Sequence, residues 1–522
     1  MRSTRAGISR RALLGLGAVS ALAACDSGAP SGSPSGPAAS ADGGSTAAGA
    51  RSTASPASWA ALSERLQGEL WLPGSAGYAQ SKLTENPRFD DARPLAVLRA
   101  AGSQDVVAAL AFARDNRISP ALRSGGHSYT GWSAGGGDDT GVPPSLVIDC
   151  RALNGIQLTG TRVTAGAGVP LVRLYSALAA KGRAVAAGSC PTVAVAGLTL
   201  GGGVGVLTRA HGLTCDALVA AQVVTADGRV RTVDAEHDPD LFWALRGGGG
   251  GHLGVVTSLT LQTFAAPTVH TFYLTWPFSA AAVVVGAWQQ WLAGADARLW
   301  STLKLLGGRA HASGPVVMVS GTWTGSGTPD LTGLLNDCPP PAGRTDHVRG
   351  YGAAMAGYAG CAGVAVERCH TGAGGALTRE ALAATSHVGH QALPEAGVQA
   401  LLGRAEAAQG SGLREAGVSL DALGGAVAEI APEATAFVHR RALITVQYTA
   451  TYTGAQGEQA LAHVRASRAA MTAYWGAHAY VNYPDAAITD PATAYFGANA
   501  PRLAAVRDHY DPDRLFTQPQ SY

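Results

Sequence analysis

Two glycine clusters are the first places in this sequence where the backbone itself could do chemistry: Gly201-Gly202-Gly203-Val204-Gly205 and Gly249-Gly250-Gly251-His252-Leu253-Gly254. N–H groups with no Cβ beside them can approach a pyrophosphate closely. The second cluster satisfies G-x-G-x-x-G, but a dinucleotide fold needs that motif to open a helix. The residues after it, 255–264, alternate and are β-branched like a strand. The first cluster lacks the third glycine at the required spacing. Taken singly, each reads as a close-packed turn; together they point to a large anionic cofactor cradled by several turns, with backbone donors in place of a cationic pocket. His127 stands in the loop Ser124-Gly125-Gly126-His127-Ser128. Neither C-x-x-C nor H-E-x-x-H occurs, so no metal site and no redox dithiol are predicted.

The elements that must position these loops alternate α with β. A helix is predicted over 103–116, capped by Ser103, with Val106, Val107, Leu110 and Ala111 on one face. An extended run over 119–123 puts His127 just past a strand. Strands are predicted next over 145–149 and 161–165, then a helix over 169–181 closed by Gly182. Residues 218–233 read as a hairpin with Asp227-Gly228 as a two-residue turn, and Pro239 opens a short helix ended by Gly247. From about Pro267 the texture changes. Strands at 271–276, 299–306, 316–323 and 443–452 alternate apolar with polar, as in an antiparallel sheet covered on one face. Helices over 280–292, 379–384 and 397–407 supply the cover. A long amphipathic helix over 458–475 and a last helix after Asn499 complete the pattern.

With 522 residues, 47% of them hydrophobic, the chain can bury a large core or two to three domains. A net charge of +2 without a basic stretch excludes nucleic acid as a partner. The scarcity of lysine (Lys82, Lys181, Lys304) is given no functional weight. Residues 1–25 read as a signal peptide: Arg10-Arg11 resembles a twin-arginine signal, and Leu22-Ala23-Ala24-Cys25 a bacterial lipobox. The expectation is an exported protein held to a membrane by a lipid on Cys25, with 26–55 as a low-complexity tether. In an exported chain the cysteines Cys150, Cys190, Cys215, Cys338, Cys361 and Cys369 can form disulfides; the closest pair in sequence is Cys361 with Cys369, and the connectivity is left open.

Five segments carry a resemblance: Arg123-Ser124-Gly125-Gly126-His127-Ser128-Tyr129, Gly188-Ser189-Cys190-Pro191-Thr192-Val193, Gly197-Leu198-Thr199-Leu200-Gly201-Gly202-Gly203, Asp240-Leu241-Phe242-Trp243-Ala244-Leu245-Arg246, and Tyr480-Val481-Asn482-Tyr483. In this order, from about Pro73 to Gln520-Ser521, the chain resembles the berberine bridge enzyme-like flavoproteins of the vanillyl-alcohol oxidase fold group. The resemblance implies an α+β fold: a two-part PCMH-type FAD-binding domain over 56–266 (core about 90–266), and a substrate domain over 267–465 whose antiparallel sheet is flanked by helices. Residues 466–522 would return to the FAD domain. It also implies FAD bonded through its 8α-methyl carbon to His127 and through C6 to Cys190. Around it would lie Arg123, Ser124, Gly125, Gly126, Ser128, Thr192, Val193, Gly197, Gly201, Gly202, Gly203, Gly205, Gly254, Val255, Val256 and Asn482.

The implied reaction is hydride transfer from an alcohol or sugar carbon, with O2 as acceptor and H2O2 as product. The small Val193, three residues after the flavin-linked Cys, would admit O2. Tyr480 is expected as the base and Tyr483 as the second candidate, each needing neighbours that lower a pKa of ~10. Gln447 and Tyr448 match a position facing the flavin. Leu198 stands where plant alkaloid-type members carry His, and Val446-Gln447-Tyr448 holds no acid, which argues against alkaloid ring closure. The substrate class is a sugar, an oligosaccharide or a secondary-metabolite alcohol. The competing readings are a dehydrogenase with a different electron acceptor and a non-catalytic surface binding lipoprotein.

Overall fold

The computed structural model describes residues 54–522. The signal, Cys25 and nearly all of the tether expected from the sequence lie outside the described residues. Two main sheets, with a two-stranded pairing of Arg183–Ala184 and Phe264–Ala265, make up the first half. One has the spatial order Glu69–Trp71, Ala96–Arg99, Leu146–Asp149, Pro120–Arg123, its last three strands parallel. All four residues of Leu146–Asp149 are buried, as a central parallel strand with both faces covered requires. The other sheet is antiparallel: Ile156–Thr159, Arg162–Gly166, Val255–Gln262, Leu218–Val224, Val230–Val233.

The second half is built on a seven-stranded antiparallel sheet in the order Gly343–Gly350, Thr268–Pro277, Val316–Trp323, Leu299–Gly307, Glu415–Ala422, Ile444–Tyr452, Ala381–Gly389. Helices Ala281–Gly294, Glu395–Gln409 and Gly457–Trp475 pack on it. Leu461, Val464, Met471 and Trp475 form the buried stripe of the last of these. The mixed α+β class implied by the resemblance is present.

Several local expectations are corrected. Residues 379–384 are not a helix: Ala381–Gly389 is a strand paired along its whole length with Ile444–Tyr452. Its alanines favour a helix locally, but sheet pairing and burial of 383–389 override that propensity. Gly343–Gly350 and Glu415–Ala422 are strands as well, although both are polar enough to read as loop. The helix Ser103–Asp115 is capped at Gly102, not Ser103, and Asp105 in its first turn accepts N–H bonds from Gln67, Gly68 and Ala101 at 2.8, 2.9 and 2.7 Å. The helix expected over 169–181 is shorter, Leu171–Ala179, because Pro170 is its cap. The hairpin turn has three residues: Thr225 N–H bonds Arg229 O around Ala226-Asp227-Gly228, with Gly228 at φ +79°. A division at 465/466 falls inside the continuous helix Gly457–Trp475.

Cys361 and Cys369 are disulfide-bonded. Cys150, Cys215 and Cys338 are buried free thiols, and Cys190 is a half-buried one.

Candidate active site

Between the two halves lies a cavity of about 610 Å³, within the range of small-molecule and cofactor sites. One wall is loops from the first half, the other a face of the seven-stranded sheet.

On the loop wall, the parallel strand Pro120–Arg123 ends at the cavity and the chain turns through Gly125-Gly126 into His127. Gly126 has φ +78°, which L side chains rarely adopt, and a Cβ on Gly125 would fall 2.6 Å from the Ala194 nitrogen. The two glycines thus let the His127 loop seat against the Cys190–Ala194 loop. His127 Nε2 lies 2.9 Å from the Thr192 hydroxyl and Cys190 Sγ 3.8 Å from the same oxygen. Thr192 therefore brings the imidazole and the thiol to one point on the wall. Burial lowers the His127 pKa, so the ring is neutral, and with Nε2 engaged its Nδ1 is the nitrogen left for bonding. Burial raises the Cys190 thiol, opposed by the Thr192 hydroxyl and the N–H groups of Thr192 and Val193.

Ser128, Val193, Gly197, Gly205, Gly254, Val255 and Val256 also line the cavity. A Cβ on Gly197 would meet nothing within 4 Å, so this stretch presents bare backbone to open space. Arg123 and Ser124 also border the cavity, with their polar groups bonded into the protein behind it. Arg123 is wholly buried, bonded to Ser81 O, Lys82 O and the Asp149 carboxylate at 2.7, 2.9 and 3.2 Å, and burial lowers its pKa to about 10. It clamps the loop from behind. Gly201, Gly202 and Gly203 are off the cavity: their missing side chains make room for Asn482, Phe437 and Thr214. The Ser124 hydroxyl is spent on Ala167 O at 2.7 Å.

The sheet wall follows the two-residue period of strands. Trp300, Thr302 and Lys304 face the cavity from one strand, Ser419 and Asp421 from the next, Gln447 and Thr449 from the third. Cross-strand register sets Lys304, Ser419 and Gln447 in one row and Thr302 beside Asp421 in another. Gln447 donates to the Tyr129 hydroxyl. Tyr448, one residue on, points to the other face, where its hydroxyl meets His387 Nδ1 at 2.9 Å; it is not a cavity residue. Burial raises the Asp421 carboxyl, partly offset by Thr302 and the Lys304 ammonium.

The two tyrosines stand differently with respect to the cavity. Tyr480 is 1% exposed and absent from the cavity wall. Its hydroxyl accepts from Gly203 N–H at 2.8 Å, Val204 N–H at 3.3 Å and Asn482 Nδ2 at 2.9 Å, and burial pushes its pKa up to about 12. Tyr483 lines the cavity, stacked on Tyr129 with ring centroids 5.7 Å apart and edge-on to Tyr480 at 4.9 Å. Its pKa too is raised by burial, with the Asp421 charge adding to the shift, so the lowered pKa expected of a tyrosine base is found at neither residue. Asn482 lines the cavity and donates to Leu198 O at 2.8 Å.

The final residues close the wall. Gln520 Nε2 donates to Asp485 O and Ile488 O at 2.8 and 2.9 Å, its Oε1 accepts from Tyr495 at 3.0 Å, and Gln518 fills the space a side chain on Gly251 would need.

A bare-backbone loop wall bearing a histidine and a cysteine, opposed by a polar sheet face, defines the site of an FAD-dependent oxidoreductase with an open substrate chamber. The comparisons agree. Residues 94–234 match the family described as FAD binding domain, and 479–521 the one described as Berberine and berberine like. The FAD-linked oxidoreductase YvdP of Bacillus subtilis (strain 168) is 30% identical over 484 residues, 88% of this chain and 98% of that one. The chitooligosaccharide oxidase of Gibberella zeae is 30% identical over 455 residues, 82% and 87% of the two chains. Among solved structures, Physcomitrella patens BBE-like 1 superposes with TM-score 0.79 at 26% identity, over 89% of this chain and 98% of that one. A chitooligosaccharide oxidase superposes with TM-score 0.78 at 25% identity, over 89% and 99%.

The chain belongs to the berberine bridge enzyme-like family of FAD-linked oxidoreductases.

Proposed function

We propose that this enzyme is an oxidase of an alcohol carbon on a sugar or oligosaccharide, carrying FAD on two covalent bonds, to His127 and Cys190, and passing electrons to O2 to give H2O2. The observation that carries the reading is the opposition of the two walls: His127 and Cys190 meet at Thr192 on one, and Tyr483, Asp421, Lys304 and Gln447 face the same cavity from the other. A chitooligosaccharide oxidase and a xylooligosaccharide oxidase among the relatives support the substrate class.

FAD, when bound, supplies the hydride acceptor. The protein must hold the substrate carbinol and take its hydroxyl proton. The Tyr483 hydroxyl accepts the substrate O–H proton as it gives up its own, and Asp421, the carboxylate whose charge reaches it, takes the proton that Tyr483 releases. The raised pKa of Asp421 makes it a better base than an ordinary surface carboxylate. Lys304 and Gln447 bind neighbouring hydroxyls. Val193, half-buried on the cavity, leaves room for O2.

The test is acid precipitation of the purified protein and mass analysis of its flavin peptides, followed by a sugar screen with peroxide readout. Yellow colour held by peptides containing His127 and Cys190, with peroxide formed on an oligosaccharide, is expected. A colourless pellet refutes the covalent bonds. Substrate-reduced flavin that persists in air refutes the oxidase and favours a dehydrogenase. We further propose export and lipid anchoring at Cys25. The Cys361–Cys369 disulfide supports an oxidising compartment, and Cys25→Ala should move the protein from the membrane fraction to the medium.

A further inference from the structure

Three histidines far apart in sequence meet outside the cavity. His390 follows the edge strand Ala381–Gly389, His439 precedes Ile444–Tyr452, and His478 follows the helix Gly457–Trp475. Backbone bonds fix the three segments to one another: Val388 N–H to His478 O at 3.0 Å, Leu443 N–H to Gly389 O at 2.9 Å and Ala442 N–H to His439 O at 3.2 Å. One ring nitrogen from each histidine lies within 4.8 Å of the other two. The rings are tilted, with interplanar angles of 56°, 66° and 71°, so they do not simply stack.

Two of these rings carry a polar atom with nothing to bond. His439, 2% exposed, has an unpartnered Nε2, and His478 has an unpartnered buried Nδ1. Two unpartnered buried ring nitrogens in one cluster leave lone pairs or N–H groups that a water or an ion could satisfy. The other edge of the His439 ring is held by the carbonyls of Ala479 and Tyr495. That is the arrangement by which a backbone carbonyl fixes the tautomer of a metal-bound imidazole.

We infer that His390, His439 and His478 form a binding site for a borderline divalent transition-metal ion such as Zn2+, with its remaining coordination open to solvent on the exposed His390 side. The donor set selects the class. Imidazole suits Zn2+, Co2+, Ni2+ and Cu2+, whereas Mg2+ and Ca2+ need oxygen ligands. Tetrahedral zinc with Zn–N of ~2.0–2.1 Å sets its nitrogens ~3.4 Å apart, and His390 is the residue free to swing inward. No zinc spacing is visible in the sequence because each ligand comes from a different element. The ion would tie the segment leading into Asn482 and Tyr483 to the edge of the sheet.

The test uses the untagged, FAD-loaded chain, stripped with EDTA and freed of it, and titrated with Zn2+ by calorimetry with Mg2+ as control. One Zn2+ per chain, no Mg2+ binding and a Zn2+-dependent rise in Tm are expected. His439→Ala and His478→Ala should abolish binding. Should either fail to fold, the exposed His390→Ala decides: Zn2+ affinity should fall at least about tenfold, and the tetrahedral visible bands of a Co2+-substituted sample should disappear, with flavin content unchanged. Absence of stoichiometric Zn2+ binding, or binding equal in His390→Ala and the parent, overturns the site.

Discussion

The two walls of the cavity work on different physical principles. The loop wall is largely glycine-rich backbone, its buried Arg123 already paired with Asp149, and it carries the His127 imidazole and the Cys190 thiol. The sheet wall is made of side chains at every second position along its strands, with Lys304 and with an Asp421 carboxyl whose pKa burial raises. The first is suited to a permanent guest and the second to one that must come and go. Backbone donors cannot be altered without remaking the loop, whereas a strand position changes its side chain without moving the sheet.

The largest expected effect falls on the loop wall. His127→Ala combined with Cys190→Ala should release all flavin on acid precipitation, while each single variant retains one bond; a colour that stays with the pellet of the double variant breaks the contrast. Next comes the comparison of the tyrosines. Tyr483→Phe should lower kcat by about 10²–10⁴-fold with the flavin spectrum intact. Tyr480→Phe should instead leave the Gly203 and Val204 N–H groups without an acceptor, at a cost of roughly 1–3 kcal/mol in stability read by denaturant titration. Equal loss of turnover in both would return Tyr480 to the role of base.

A pH profile sharpens the sheet side. The base must be deprotonated to act, so kcat/KM should fall as pH drops through the Asp421 pKa, which lies above the usual carboxylate range. Asp421→Asn should remove that limb along with most activity; a limb unchanged in the variant assigns it elsewhere. The smallest effect belongs to the border of the chamber, where Ala359, Gly360 and Thr371 flank the Cys361–Cys369 loop. Cys361→Ser with Cys369→Ser should cost roughly 2–3 kcal/mol, the loop-closure value for so short a ring, measured as a Tm shift.

The same contrast explains what is legible in the sequence. His127, Cys190 and Thr192 sit in contiguous segments, because a loop that binds through its backbone needs a fixed run of small residues. Asp421 and Lys304 leave no such trace. Val446-Gln447-Tyr448 holds no acid, and the aspartate that faces the cavity lies one strand away, opposite Thr445. Lys304 is visible in the sequence only as one of three lysines, a scarcity that carries no meaning until the strand places it. Tyr129 stands inside a recognisable motif, but its contact with Gln447 joins residues 318 positions apart. The motif around Tyr480 and Tyr483 fixes their spacing and not which hydroxyl turns toward Gly203, so their order as candidates had to come from the fold. The helix wrongly placed at 379–384 has the same origin, since only pairing with Ile444–Tyr452 makes that alanine-rich stretch a strand.

The lacing of Gln518 and Gln520 onto the cavity wall has a consequence in time. The carbonyls of Asp485 and Ile488 gain the Gln520 amide, and Gly251 the Gln518 side chain beside it, only once residues 518–520 have docked. Before that stretch docks, the glycine loops can be in place but the chamber is unsealed. A cofactor that arrives first meets an open groove, and it becomes enclosed when Gln518 and Gln520 lock onto the wall.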